Sequence, residues 1–208
     1  MQFGDGEVID VERKNELAGN IHGKGMMIAQ ACLSNILDLP SQLPFSASLV
    51  FEQSYGEIDG DSASLAIFCV LASALADLPL PQHIAITGSI DQFGLVHSVG
   101  GVNDKIEGFF TICQRRGLTG KQGVIIPMTT IQQLSLSDEV KSAVKNGEFF
   151  IYPVEDIYQA CELLFGRDLL DENKDYTEKT EPLSRLIQRR IEGRADSERK
   201  SFWHFFRS

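Results

Sequence analysis

The stretch from Asp61 to Ala76 sets the strongest constraint on the fold. Leu65, Ala66, Phe68, Cys69, Leu71, Ala72, Leu75 and Ala76 make a helix there apolar nearly all round. Such a helix has no polar face to offer water, so it belongs at the centre of the core. Asp61 or Ser62 is expected to start it, and Pro79 and Pro81 to close it. Around it, helical spacing recurs from Gly23 to Leu39, from Val102 to Arg116, from Asp138 to Lys145 and from Glu155 to Phe165. Pro40 and Pro44 are expected to end the first of these, and Gly117 and Asn146-Gly147 to stop the next two. Extended runs fall at Glu7 to Val11, Ala47 to Ile58, His83 to Thr87, Leu95 to Val99, Gly123 to Pro127 and Phe149 to Tyr152. Gly88 and Asp91-Gln92-Phe93-Gly94 supply turn chemistry and predict a hairpin between His83 to Thr87 and Leu95 to Val99, and Thr129 or Thr130 is expected to cap a short helix. Strand and helix alternate throughout, so the fold class is α/β or α+β.

The chain of 208 residues is long enough for one substantial core with an appendage. Residues 1–168 carry the mixed pattern, and residues 169–208 read as a charged linker followed by a tail. Asp171 to Glu181 is polar, Leu183 to Ile191 has amphipathic spacing, and Phe202-Trp203-His204-Phe205-Phe206 forms an aromatic cluster. The net charge is −10, yet from Pro182 onward seven Arg or Lys face three Asp or Glu. An acidic body repels phosphate backbones, which argues against nucleic acid as a partner. No apolar run approaches the roughly 20 residues that span a bilayer, and the acidic N-terminus is not a secretory signal. A cytoplasmic location without membrane contact is therefore expected. Cys32, Cys69, Cys113 and Cys161 lie far apart, each within a helical run, and show no metal-ligand spacing. Buried, reduced thiols and no metal are expected.

Chemistry concentrates at Gly60-Asp61-Ser62-Ala63-Ser64 and at Lys105, 43 positions downstream after Gly100-Gly101. A serine hydroxyl needs a base to take its proton. Lysine serves only when its amine is partly neutral, which requires its pKa to fall by roughly 2–3 units from the reference value. Val99, Val102, Ile106 and the helix after Ser62 supply apolar surroundings, and a first helical turn places the amine at the positive end of the macrodipole. Backbone N–H groups beside Ser62 can hold an oxyanion, and Gly60 lets a substrate strand come close. Either residue alone has an ordinary reading, as an N-cap serine or a surface lysine. A Ser–His–Asp site would instead need His22, His83 or His97.

The run Tyr55-Gly56-Glu57-Ile58-Asp59-Gly60-Asp61-Ser62-Ala63-Ser64 resembles the active-site signature of the Lon protease family, in the D-G-D-S-A-S form of its archaeal-type, LonB-like branch. The serine-to-lysine spacing, Ile86-Thr87-Gly88-Ser89-Ile90, Gly94-Leu95-Val96, Val99-Gly100-Gly101-Val102, Lys105-Ile106-Glu107 and Gly123-Val124-Ile125-Ile126-Pro127 continue the likeness, as does Gly19-Asn20-Ile21-His22. It covers about residues 15–165. The resemblance implies a compact mixed-sheet proteolytic domain, ribosomal protein S5 domain 2-like, with a helical C-terminal tail. It implies Ser62 as nucleophile, Lys105 as general base, Thr87 as the residue that orients the lysine amine, and Asp59 as an influence on whether the site is competent. Asp61, Gly60, Gly100 and Gly101 support the site. The implied activity is serine endopeptidase cleavage of unfolded or extended polypeptide, with substrate adding to a strand edge near Ala47 to Ile58. Family members carry an ATPase module and assemble as six-fold rings. This chain has no G-x-x-x-x-G-K-[ST], so it is expected to be a C-terminal piece lacking that module, with ATP and Mg needed only there. A catalytically silent module used for oligomerisation or scaffolding is the alternative.

Overall fold

The computed structural model describes residues 1–39, 43–52, 54–170 and 176–193. Its centre is α3 (Ser64–Ala76), in which Leu65, Phe68, Cys69, Ala72 and Leu75 are fully buried. A helix this apolar needs cover on more than one side. It packs against α2 (Asn20–Ile36) and α6 (Ile157–Phe165). The helix starts two or three residues later than the Asp61 or Ser62 its sequence suggests. Asp61, Ser62 and Ala63 form a turn, with Ser64 N–H donating to Asp61 O at 2.9 Å.

Among the described residues three small sheets surround these helices. In the first, β3 (Leu43–Leu49) lies between β1 (Gln2–Gly6) and β2 (Val8–Asp10), antiparallel to β1 and parallel to β2. The second is the parallel sheet β4 (Ile84–Ile86), β7 (Gly123–Pro127) and β8 (Phe150–Val154). The third is the hairpin of β5 (Ser89–Ile90) and β6 (Val96–His97), closed by Asp91 as the turn chemistry predicts, but its first arm is Ser89–Ile90 and not His83 to Thr87, because the strand at Ile84–Ile86 is taken up in parallel by β7. With α1 (Val11–Lys14), α4 (Val102–Arg116) and α5 (Asp138–Lys145), this is a compact α+β fold.

The expected strand from Ala47 to Ile58 is not formed as such. Strand β3 begins at Leu43 and ends at Leu49. Pro44, read from sequence as a helix terminator, lies inside β3 where the ladder to β1 shifts register between Phe3 and Gly6. An irregular ladder tolerates a residue with no N–H to give. The strand stops because Phe51 N–H donates to Glu12 Oε1 at 2.8 Å rather than to a neighbouring strand. β1 pairs along Leu43 to Ser46 and β2 along Ala47 to Leu49, which makes β3 the middle strand of its sheet. Thr130 also differs from expectation. It lies inside the 3-10 helix Met128–Gln133, donating from Oγ1 to Pro127 O, and Pro127 holds the cap position.

The interior divides into two apolar clusters. One joins α2, α3 and α6 with β3, and the other joins Val102, Ile106 and Phe110 of α4 to β7, α5 and Phe149. A further helix, α7 (residues 183–193), packs on the first cluster through buried Leu183 and Ile187. Phe202 to Phe206 and residues 171–175 lie outside the described residues. Cys32, Cys69, Cys113 and Cys161 are all buried and free. Burial, with Asp91 adding, pushes the Cys32 thiol up to about 12, which keeps it inert.

Candidate active site

Ser62 and Lys105 meet. Lys105 Nζ donates to Ser62 Oγ at 3.0 Å and to Thr87 Oγ1 at 3.2 Å. Ser62 arrives from the turn before α3, which belongs to the first cluster, and Lys105 from the first turn of α4, which belongs to the second. The pair therefore sits at the seam between the two halves of the core. Thr87 follows β4 directly, and its N–H donates to Ile125 O of β7 at 3.0 Å, which fixes its hydroxyl beside the amine.

The Ser62 turn is zipped to the segment after β4. Gly88 N–H donates to Ser62 O at 2.9 Å, and Leu65 N–H donates to Gly88 O at 3.2 Å. Ile90 N–H donates to Ser64 Oγ, and Ser89 Oγ donates to Asp61 Oδ2, both at 2.9 Å. With the N–H groups of Ser64 and Leu65 taken, those of Ser62 and Ala63 have no acceptor among the described residues. They remain as donors for an oxygen beside Ser62 Oγ.

Gly101 opens α4 with φ +66°, and Gly60 has φ +91° before the Ser62 turn. Both are left-handed conformations that a side chain would strain. No atom lies within 4 Å of where a Cβ would stand on Gly60, Gly100 or Gly101, so the backbone around the pair is open.

The amine is less sheltered than its sequence implies. Lys105 is exposed overall and Ser62 half-buried, although Val102 and Ile106 beside the lysine are buried. Burial of the amine end holds the Lys105 pKa below its ordinary value, and the nearby Asp61 carboxylate works against that fall. Asp59 faces another way. Its Oδ1 accepts from the N–H groups of Ile21 and His22, each at 3.2 Å, in the first turn of α2. Hydrogen bonds from Gly60, His22 and Ile21 hold its carboxyl below the usual range.

Two histidines have acids that the sequence did not reveal. His97 Nε2 lies 2.9 Å from Asp91 Oδ2, and buried His22 Nε2 lies 3.2 Å from Asp10 Oδ2. Each acid is within 12 residues of its histidine, so turn-length spacing was the available signal. Neither histidine bonds Ser62, whose side-chain partner is Lys105. The Ser89–Asp61 contact joins positions 28 apart and left no such signal. Among the described residues no group of three or more His, Cys, Asp or Glu is arranged to hold a metal.

Residues 56–166, more than half of the chain, match the family model described as the Lon protease (S16) C-terminal proteolytic domain. The chain belongs to this family. It is 98% identical, over all 208 of its residues, to a Haemophilus influenzae protein named "Putative Lon protease homolog", of which the match covers 35%. A protein of the same name from Escherichia coli is 61% identical over 166 residues, covering 80% of this chain and 28% of that protein. The "Archaeal Lon protease" of Methanocaldococcus jannaschii is 38% identical over 118 residues, covering 57% of this chain and 16% of that protein. The chain thus spans about a third or less of the length of these relatives. Membership supports a proteolytic function. No helix among the described residues is long and apolar enough to cross a membrane.

Proposed function

We propose that this chain is the serine endopeptidase part of a longer Lon-type protease, working through Ser62 and Lys105. The supporting observation is the 3.0 Å contact between Nζ and Oγ, with Thr87 holding the amine from a second side. In the deprotonated amine the lone pair takes the Ser62 proton as Oγ attacks the scissile carbonyl. The oxyanion is received by the free N–H groups of Ser62 and Ala63. Lys105 then returns the proton to the departing amine; in the second half it takes a proton from the water that attacks the acyl carbonyl and gives it to Ser62 Oγ as the ester bond breaks. Thr87 accepts a hydrogen bond from the amine and keeps its lone pair aimed at Oγ.

The open backbone at Gly60, Gly100 and Gly101 favours an extended polypeptide as substrate. In the longer protein the activity is ATP-dependent, with ATP and Mg bound by a separate ATPase module, and the assembly is a cytoplasmic homo-oligomeric ring. The acidic body takes no nucleic acid and no membrane surface.

A fluorophosphonate probe tests the dyad. Labelling is expected on Ser62 and lost in both Ser62→Ala and Lys105→Ala. Undiminished labelling in Lys105→Ala would remove lysine as the base. Labelling absent from the intact chain while the fold is native would favour the silent scaffolding module.

A further inference from the structure

Residues 134–137 join the 3-10 helix Met128–Gln133 to α5. Leu134 and Leu136 pack on the second apolar cluster. Between them the chain presents polar groups to one side of α4. Asn103 Nδ2 donates to Gln133 O at 3.1 Å, and Ser135 N–H donates to Asn103 Oδ1 at 2.8 Å. One turn further along α4, Glu107 Oε1 accepts from Ser137 N–H at 2.6 Å, and Oε2 accepts from Ser137 Oγ at 2.9 Å. The spacing explains the fit. Four helical residues rise about 6 Å and two extended residues about 6.6 Å, so positions 103 and 107 meet 135 and 137 in step. Two side chains of α4 thus stand in for a neighbouring strand, satisfying main-chain groups of a segment that belongs to no sheet.

Lys105 is two residues from each of these anchors, so it leaves α4 on the opposite side, where its amine meets Ser62 and Thr87. The start of α4 has little else to orient it. Gly101 opens the helix without a side chain to cap it, and the backbone at Gly100 and Gly101 is open. Val102 and Ile106 are buried, but apolar burial has no direction. Hydrogen bonds do, and bonds at two levels oppose both rotation of the helix about its axis and sliding along it.

We propose that Asn103 and Glu107 are positioning residues that clasp α4 from behind and so keep Lys105 turned toward Ser62. This rests on the Ser62–Lys105 reading above. Both residues act through the helix, since their bonds run to residues 133–137.

Variants of the full chain test the clasp at each level. Asn103→Ala and Glu107→Ala each remove one level. Asn103→Asp keeps the acceptor for Ser135 and loses the donor to Gln133, and an acid near a helix N-terminus favours folding. Glu107→Gln keeps an acceptor oxygen for Ser137 without the charge. Asp156→Ala removes the cap of α6 and serves as a control for lost stability alone. The readouts are amide exchange at Ser135 and Ser137, melting temperature, and the rate of fluorophosphonate labelling at Ser62 well below melting. Both alanine variants should speed exchange at their own serine. They should slow labelling by about tenfold, short of the roughly hundredfold that a 1 Å misplacement can cost. Asn103→Asp should fall between Asn103→Ala and the parent, Glu107→Gln should keep most of the rate, and Asp156→Ala should label as the parent does.

Parent-rate labelling in the Asn103 and Glu107 variants, despite faster exchange, would show that α4 holds its place unaided and overturn the proposal. Unchanged exchange would do the same, because the clasp would then not be formed. Equal slowing in Asp156→Ala would reduce it to general stability, and Glu107→Gln as slow as Glu107→Ala would assign the effect to charge; either result overturns it. Failure of the dyad reads differently, as labelling undiminished in Lys105→Ala or absent from the natively folded parent, and removes the clasp's role with it.

Discussion

On the proposed mechanism Ser62 can be activated only after the Lys105 amine has lost its proton, so the amine's pKa sets the low-pH side of the rate profile. Burial places that pKa below the ordinary lysine value, and Asp61 pulls it back up. The rate should therefore be highest above the lowered pKa and fall as pH falls through it. Asp61→Asn removes the opposing carboxylate and should move this acid limb to lower pH, read from kcat/KM across a pH series. A limb that stays in place or moves to higher pH would contradict the assignment. At this scale Ser62 and Lys105 were legible as polar side chains at the starts of two strongly patterned helices, whereas Thr87 was legible only through the family resemblance. Asp59 was legible as a position near the site, whereas its bonds to Ile21 and His22 were not. Those bonds depend on α2 lying beside the turn, which no local signal records.

Elements whose ends carry their own chemistry could be read almost residue by residue. Helix α4 runs from Val102 to Arg116 and stops at Gly117, strand β7 covers Gly123–Pro127, and α5 covers Asp138–Lys145, all as their sequences indicate. Helix α6 follows the same logic, with Asp156 Oδ1 accepting from Gln159 N–H at 2.9 Å. Asp156→Ala should lower stability by about 1 kcal/mol, seen as a lower urea midpoint with an unchanged slope. An unchanged midpoint would mean that the cap contributes nothing measurable. Strand β3 was misplaced because its limits are set from outside. Its neighbours β1 and β2 define where pairing begins, and the Glu12 carboxylate diverts Phe51 N–H where pairing ends. Likewise α3 starts at Ser64 and not at Asp61 or Ser62, because Gly88 engages Ser62 O and Leu65 N–H.

The whole molecule is held together partly from its C-terminal side. Leu183 of α7 is 0% exposed in the cluster that contains α3. Arg190 of the same helix donates to the carbonyls of Ala74 and Leu75 at the end of α3, at 3.2 and 2.8 Å. Those last carbonyls have no partner within α3, so a cation there serves both hydrogen bonding and the helix dipole. Leu183→Ala should destabilise the folded chain by about 2–5 kcal/mol, the range for emptying a buried leucine site, and lower the melting temperature accordingly. A melting curve that does not move would show that α7 is not part of the cooperative core. By itself the sequence determined the central helix, the mixed class and the run of later elements, and it singled out the serine and the lysine, because periodicity, caps and turn residues are local. Only the tertiary structure decided that Lys105 crosses 43 positions to touch Ser62, that α2 is capped from Asp59, and that β3 lies between β1 and β2. Such contacts form when two apolar clusters close against each other, and that free energy belongs to the packing of the whole chain rather than to any one segment.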